Sequence, residues 1–151
     1  MINLLILIPI HQREEVRKVC FDALLQQDSV ARAQGIRIYV RHVESSQEYP
    51  QIKGDVLYRD EPLGAKLNRG LVYSIGSKWD YLMVLGSDDL LRPQIWGYIR
   101  TAIEEEVPVF GFNQAYLYDR INHRSKIWDA GPGTFGAGRC VRRDVVMKCG
   151  G

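Results

Sequence analysis

The chain has little sulfur and no excess of either charge. Its three cysteines, Cys20, Cys140 and Cys149, are an odd number without the spacing of metal ligands. That pattern excludes a disulfide framework and implies a reducing compartment. The formal net charge is only +2, from 20 basic and 18 acidic residues. Such a balance does not imply nucleic acid or a membrane as the obligatory partner. No apolar stretch approaches the roughly 20 residues that span a bilayer. Residues 1–10 are apolar, but they lack the basic n-region and the small-residue cleavage site of a signal peptide. These absences predict a cytoplasmic protein with no membrane span. Internal repeats, low-complexity tracts and linkers are also missing, so residues 1–151 read as one domain.

What is present suits a buried core: 46% of the 151 residues are hydrophobic. Residues 3–8 form a short continuous apolar run, as in a strand covered on both faces, and Pro9 is expected to stop it. Residues 13–27 read as a helix with Val16, Val19, Cys20, Ala23 and Leu24 on its apolar stripe. Residues 36–43 predict a second strand and residues 56–59 a third. Residues 64–76 predict a helix, and residues 81–85 a fourth strand. Pro93 is expected in the first turn of the helix that follows, running to about residue 106. Residues 107–118 and 125–128 suggest a hairpin, and residues 131–138, with four glycines, a loop. Residues 139–148 read as a short helix or a strand–helix junction. This β–α–β order predicts an α/β fold with a mostly parallel sheet.

The most informative segment is Leu85-Gly86-Ser87-Asp88-Asp89-Leu90. An apolar strand delivers two adjacent carboxylates to its own carboxyl end, the edge where open α/β sheets bind ligands. Adjacent carboxylates repel unless a cation or donor groups sit beside them. Mg2+ or Mn2+ suits oxygen ligands and bridges to diphosphates. The spacing alone leaves a second reading open, in which the pair caps the next helix.

Three further segments accompany the acidic turn: Ile6-Leu7-Ile8-Pro9-Ile10-His11-Gln12-Arg13, Glu44-Ser45-Ser46 and Gly64-Ala65-Lys66-Leu67-Asn68-Arg69-Gly70. In this order, from residue 6 to the end, the chain resembles GT-A glycosyltransferases of the family-two type. The resemblance implies a Rossmann-like three-layer sandwich that moves a sugar from a nucleotide-sugar donor to an acceptor hydroxyl, with inversion. It implies that Pro9, Ile10 and His11 line the nucleotide, and that Glu44 lies near the base in place of the usual Asp. Lys66 and Asn68 fall where the family contacts the nucleotide and organises the loop. Asp88 matches a ribose or metal contact, and Asp89 a metal ligand for Mn2+ or Mg2+. The family often reads Asp-x-Asp-Asp here, and this chain has Gly86 where the first Asp stands.

Arg13 is a candidate phosphate contact. Residues 131–139 and the cluster Arg139, Arg142, Arg143 and Lys148 are candidates for anion binding, against the plainer readings of a flexible connection and a solvated helix face. The tryptophans read as packing, although Trp128 and Asp129 are also placed to flank a sugar. Asp129 is the in-chain candidate for the general base. The resemblance expects the family's base, and the acceptor-binding portion, beyond Gly151. The nature of the acceptor stays open. A final helix without a packing partner would expose Val141, Val145 and Met147 and favour self-association. Two rival classes are a non-catalytic sugar-nucleotide-binding module and a nucleotidyltransferase. The second needs a glycine-rich loop after the first strand, and residues 9–13 contain no glycine.

Overall fold

A computed structural model describes residues 1–10, 14–44, 56–57, 62–119 and 121–150. The elements in chain order are β1 (Ile2–Ile10), α1 (Glu14–Gln26), α2 (Asp28–Ala33), β2 (Ile36–Glu44), β3 (Val56–Leu57), α3 (Leu63–Ser74) and β4 (Tyr81–Val84). They continue with α4 (Ile95–Glu104), β5 (Val109–Phe110), β6 (Gln114–Asp119), β7 (Arg124–Asp129), β8 (Arg139–Arg142) and α5 (Arg143–Lys148). The main sheet has six strands in the order β3-β2-β1-β4-β8-β5, and β6 and β7 form a separate two-stranded sheet.

The apolar runs become the centre of the sheet. β1 pairs in parallel with β2 on one side and with β4 on the other, and β2 pairs in parallel with β3. β8 is antiparallel to both β4 and β5, so the sheet is mixed; β8 alone runs in reverse, and the rest is parallel as expected. β8 runs in reverse because the chain returns from β5 through the β6–β7 arm to the carboxyl end of β4. There the Gly138 N–H donates to the Val84 carbonyl.

Each face of the sheet has its own core. Leu4, Ile6, Ile8, Met83 and Cys140 pack with Leu24, Ala31, Trp96 and Ile99 from α1, α2 and α4. Leu5, Leu7 and Leu82 pack on the other face with Leu71 of α3, Trp79 and Val146 of α5. α3 lies close to the sheet because Gly70 has no side chain: a Cβ there would overlap the Val43 side chain and touch Leu7.

Several expectations are corrected. β1 runs through Pro9 to Ile10, with Pro9 in register with Val43. The Leu7 carbonyl accepts from the Leu85 N–H, so β1 turns its odd-numbered residues toward β4. The last β1–β4 pair is Leu7 with Val84, so Pro9 lies past the end of that ladder and its missing N–H costs no bond. On α1 Arg17 and Leu24 are buried and Val16, Cys20 and Ala23 partly so, whereas Val19, expected on the same stripe, is 60% exposed. Pro93 lies two residues before Ile95, the first residue of α4, and not in its first turn, and α2 was not foreseen. The basic cluster is engaged in the fold. The Arg143 guanidinium donates to the carbonyls of Ile75, Ser77 and Trp79 and covers the Trp79 ring, while Arg142 pairs with Asp144 at 2.7 Å. That pairing holds the Asp144 carboxyl down at about 2. Val141 and Val145 line an apolar groove of about 320 Å³ between α3 and α5, and Met147 is exposed.

Candidate functional site at the carboxyl edge of the sheet

The strand order reverses at β1, which has β2 on one side and β4 on the other. Crevices at such switch points, outside the carboxyl ends of the strands, are where open α/β sheets bind ligands. Four of the expected residues meet there. Ile10 ends β1 in register with Glu44, which ends β2. Lys66, in the first turns of α3, is 1% exposed and its Nζ donates to the Ile10 carbonyl. Pro9 is half-buried beside them. Asn68 is exposed on α3. His11 and Arg13 lie outside the described residues, as do Ser45 and Ser46.

Glu44 is 1% exposed, and its Oε1 accepts from Arg17 Nη1 at 2.5 Å. A buried carboxylate needs such a partner. Arg17 was missed from the sequence. The signal was its spacing, three residues before Cys20 and seven before Leu24, which puts it on the buried stripe of α1. The next residue on that stripe, Cys20, lies within electrostatic reach of the acidic turn. Its thiol is pushed up by burial first, and then by Asp88 and Asp89.

On the other side of β1, the chain leaves β4 through Leu85 into the acidic turn. Asp88 is exposed and Asp89 is half-buried. The Gly86 N–H donates to Asp89 Oδ2 at 2.8 Å. Burial raises the Asp89 pKa, the Gly86 N–H pulls it down, and the neighbouring Asp88 charge raises it again. A Cβ at position 86 would stand 2.6 Å from Asp89 Oδ2 and 3.2 Å from Asp88 Oδ1. Both carboxylates therefore converge on the same glycine. The turn is fixed from outside by the buried Gln27, whose Nε2 donates to the Leu91 carbonyl at 2.6 Å. Gln27 Oε1 accepts from Trp96 Nε1 of α4 at 2.9 Å.

No group of three or more His, Cys, Asp or Glu able to hold a metal is present among the described residues. The donors of the acidic turn are two convergent carboxylates. That set fits a Mg2+-type cation, which takes one or two carboxylates and completes its shell with water and substrate phosphate. It does not fit a closed all-protein site.

Asp129, at the end of β7, belongs to the two-stranded sheet. Its carboxylate accepts from Gln114 Nε2 at 3.0 Å and from the Gly131 N–H at 2.7 Å, and these bonds lower its pKa. The arm carrying Asp129 reaches the acidic-turn loop through Arg92, whose guanidinium lies 3.9 Å from the centre of the Tyr116 ring. Trp128 is more than half exposed and meets Phe135 edge-on. The glycine-rich loop runs along the end of β4, through the Gly138–Val84 bond.

The fold is thus an α/β sandwich around a mixed, broadly Rossmann-like sheet whose strand order reverses between β1 and β4. Among solved structures it is similar to S. aureus TarS 1-349, with a TM-score of 0.62 at 13% sequence identity. That match covers 99% of this chain and 49% of the other, so the chain spans about half the length of the structure it resembles. No protein-family model matches the chain, and no curated protein does. Among the described residues, no helix is long and apolar enough to cross a membrane.

Proposed function

We propose that this chain is a GT-A-type domain that binds a nucleoside diphosphate sugar in the crevice at the carboxyl ends of β1, β2 and β4. We further propose that it belongs to a glycosyltransferase of the family-two type. The observation that carries the reading is the convergence of Asp88 and Asp89 on Gly86, one strand away from Ile10 and two from Glu44. The fold shared with TarS is consistent with it.

In this reading the base and ribose lie over the ends of β1 and β2. The buried Arg17–Glu44 pair stiffens that floor, and Lys66 ties the end of β1 to α3. Asp88 and Asp89 hold Mg2+ or Mn2+, which would supply charge neutralisation for a departing diphosphate. The Gly86 N–H keeps Asp89 oriented, and Gln27 holds the loop that carries both carboxylates. The proposed base, Asp129, removes the acceptor proton. The intracellular, cytoplasmic setting and the single-domain organisation are part of the same proposal.

One observation favours a second reading, a donor-binding module without turnover. Both hydrogen bonds of Asp129 stabilise its ionised form and so weaken it as a base. The test is product release from a panel of nucleotide sugars with Mn2+, with and without simple saccharide and polyol acceptors. Release of nucleoside diphosphate that depends on acceptor, and falls about 10²- to 10⁴-fold in Asp129→Asn, supports transfer with that base. Binding of a donor with no release supports the module. No binding of any nucleotide sugar contradicts both.

A further inference from the structure

The β6–β7 arm leaves apolar side chains about half exposed on both faces and open at its tip, although Arg92 covers part of Tyr116 and Phe135 part of Trp128. Cross-strand pairs share a face, so Tyr116 and Tyr118 lie on one side with Ile127, and Leu117 lies on the other with Trp128. All five are about half exposed or more, and Ile121 at the tip is 88% exposed. Arg124 and Lys126 share the Leu117–Trp128 face and are also exposed. The two carboxylates are turned back into the arm. Asp119 accepts from the backbone of Ile121 and Asn122 and from Asn122 Nδ2, and Asp129 accepts from Gln114 and Gly131.

We propose that this arm docks the protein on a membrane surface bearing anionic headgroups. A protein partner, or a second copy, covers one face of a thin ribbon. A lipid interface surrounds both faces and the tip at once. The side chains are of the interfacial kind: tyrosine and tryptophan with a polar end, an aliphatic tip, and two cations whose charges reach the headgroups. Depth is limited by the backbone. A two-stranded sheet has an open edge on each strand, and those N–H and C=O groups must stay hydrated. The arm therefore lies among headgroups, with only Ile121 reaching the acyl boundary.

The tryptophans make the test direct, because Trp79 and Trp96 are 2% and 0% exposed and only Trp128 is open to solvent. The full chain is titrated with vesicles of phosphatidylcholine mixed with phosphatidylglycerol, following sedimentation and tryptophan emission. Binding should blue-shift the emission and be stronger than on phosphatidylcholine alone. Ile121→Glu should weaken it by about tenfold or more, the effect of one lost aliphatic anchor. Tyr98→Glu, at a position on α4 that is 74% exposed, should leave it unchanged. No vesicle binding, or equal loss in both variants, overturns the proposal. So does an emission shift produced by soluble oligosaccharides, or by concentration-dependent dimerisation, without vesicle binding.

Discussion

The backbone amide of Gly86 holds the Asp89 carboxylate at 2.8 Å, and the same glycine leaves the space into which Asp88 also turns. The resemblance to family-two enzymes expects an acidic residue at position 86. In this chain the glycine is what allows two carboxylates to converge.

Gly86→Ala should therefore damage the site more than the fold. The added Cβ displaces Asp89, and cation-dependent nucleotide binding should be largely lost. The loop is partly exposed, so thermal unfolding should change by no more than about 1 kcal/mol. Gly70→Ala should behave in the opposite way. Its Cβ meets the buried Val43 side chain, and a cost of about 1–3 kcal/mol from overpacking is expected. Parallel unfolding and calorimetric titrations of the two variants check both outcomes.

The raised pKa of Asp89 has a signed consequence. Folding favours its protonated form, so its favourable contribution is complete below the ordinary value of 3.8 and is lost as pH rises through the raised folded value. At neutral pH Asp89→Asn should therefore be as stable as wild type or more so. That advantage should shrink on acidification below 3.8. Mg2+ should stabilise the wild type selectively. A variant that is less stable at pH 7 and recovers in acid would contradict this assignment of causes.

The thiols report on the same turn. Burial pushes the Cys140 thiol up to about 12, so it should resist alkylation at pH 8 until the chain unfolds. Cys149 is exposed and should react first. Cys20 is held in its thiol form partly by Asp88 and Asp89. A cation on those carboxylates removes their influence, so Mg2+ should accelerate alkylation of Cys20 in a Cys149→Ser background. The double variant Asp88→Asn with Asp89→Asn should react fast with or without Mg2+. Rates that ignore Mg2+ in both proteins would argue against a cation at the turn.

The buried pair Arg17–Glu44 should show the asymmetry of buried ions. Arg17→Met leaves Glu44 without this partner and should cost about 3–5 kcal/mol. Combining it with Glu44→Gln should recover much of that loss, because neither member of the pair then leaves a charge buried. Chemical denaturation of the two single variants and the double variant measures the coupling.

The core of the fold was legible because β1 and β4 are written as apolar runs, which have one stable destination, the centre of a covered sheet. The β6–β7 hairpin was legible as two strand-like segments, but residues 107–118 divide into β5 of the main sheet and β6 of the arm. The direction of β8 was not, since four residues with one buried cysteine carry no sign of their orientation. Pro9 misled because its cost depends on whether a neighbouring strand is present at that height, which is tertiary information. The acidic turn was visible as a pair of carboxylates, but its organisation rests on Gly86 and Gln27, whose partners are set by the fold. Arg17 was hidden because charged residues are read as surface, although its helical spacing placed it inside.

The central claim is that the acidic turn binds a nucleoside diphosphate through a cation. Isothermal calorimetry of nucleoside diphosphates with and without Mn2+, on wild type and Asp89→Asn, tests it most directly. We predict binding that is strongly enhanced by Mn2+ in the wild type, and little Mn2+ dependence in the variant, because an amide is a poorer ligand for a hard cation. Equal, Mn2+-independent affinity in the two proteins, or no binding to either, would contradict the account.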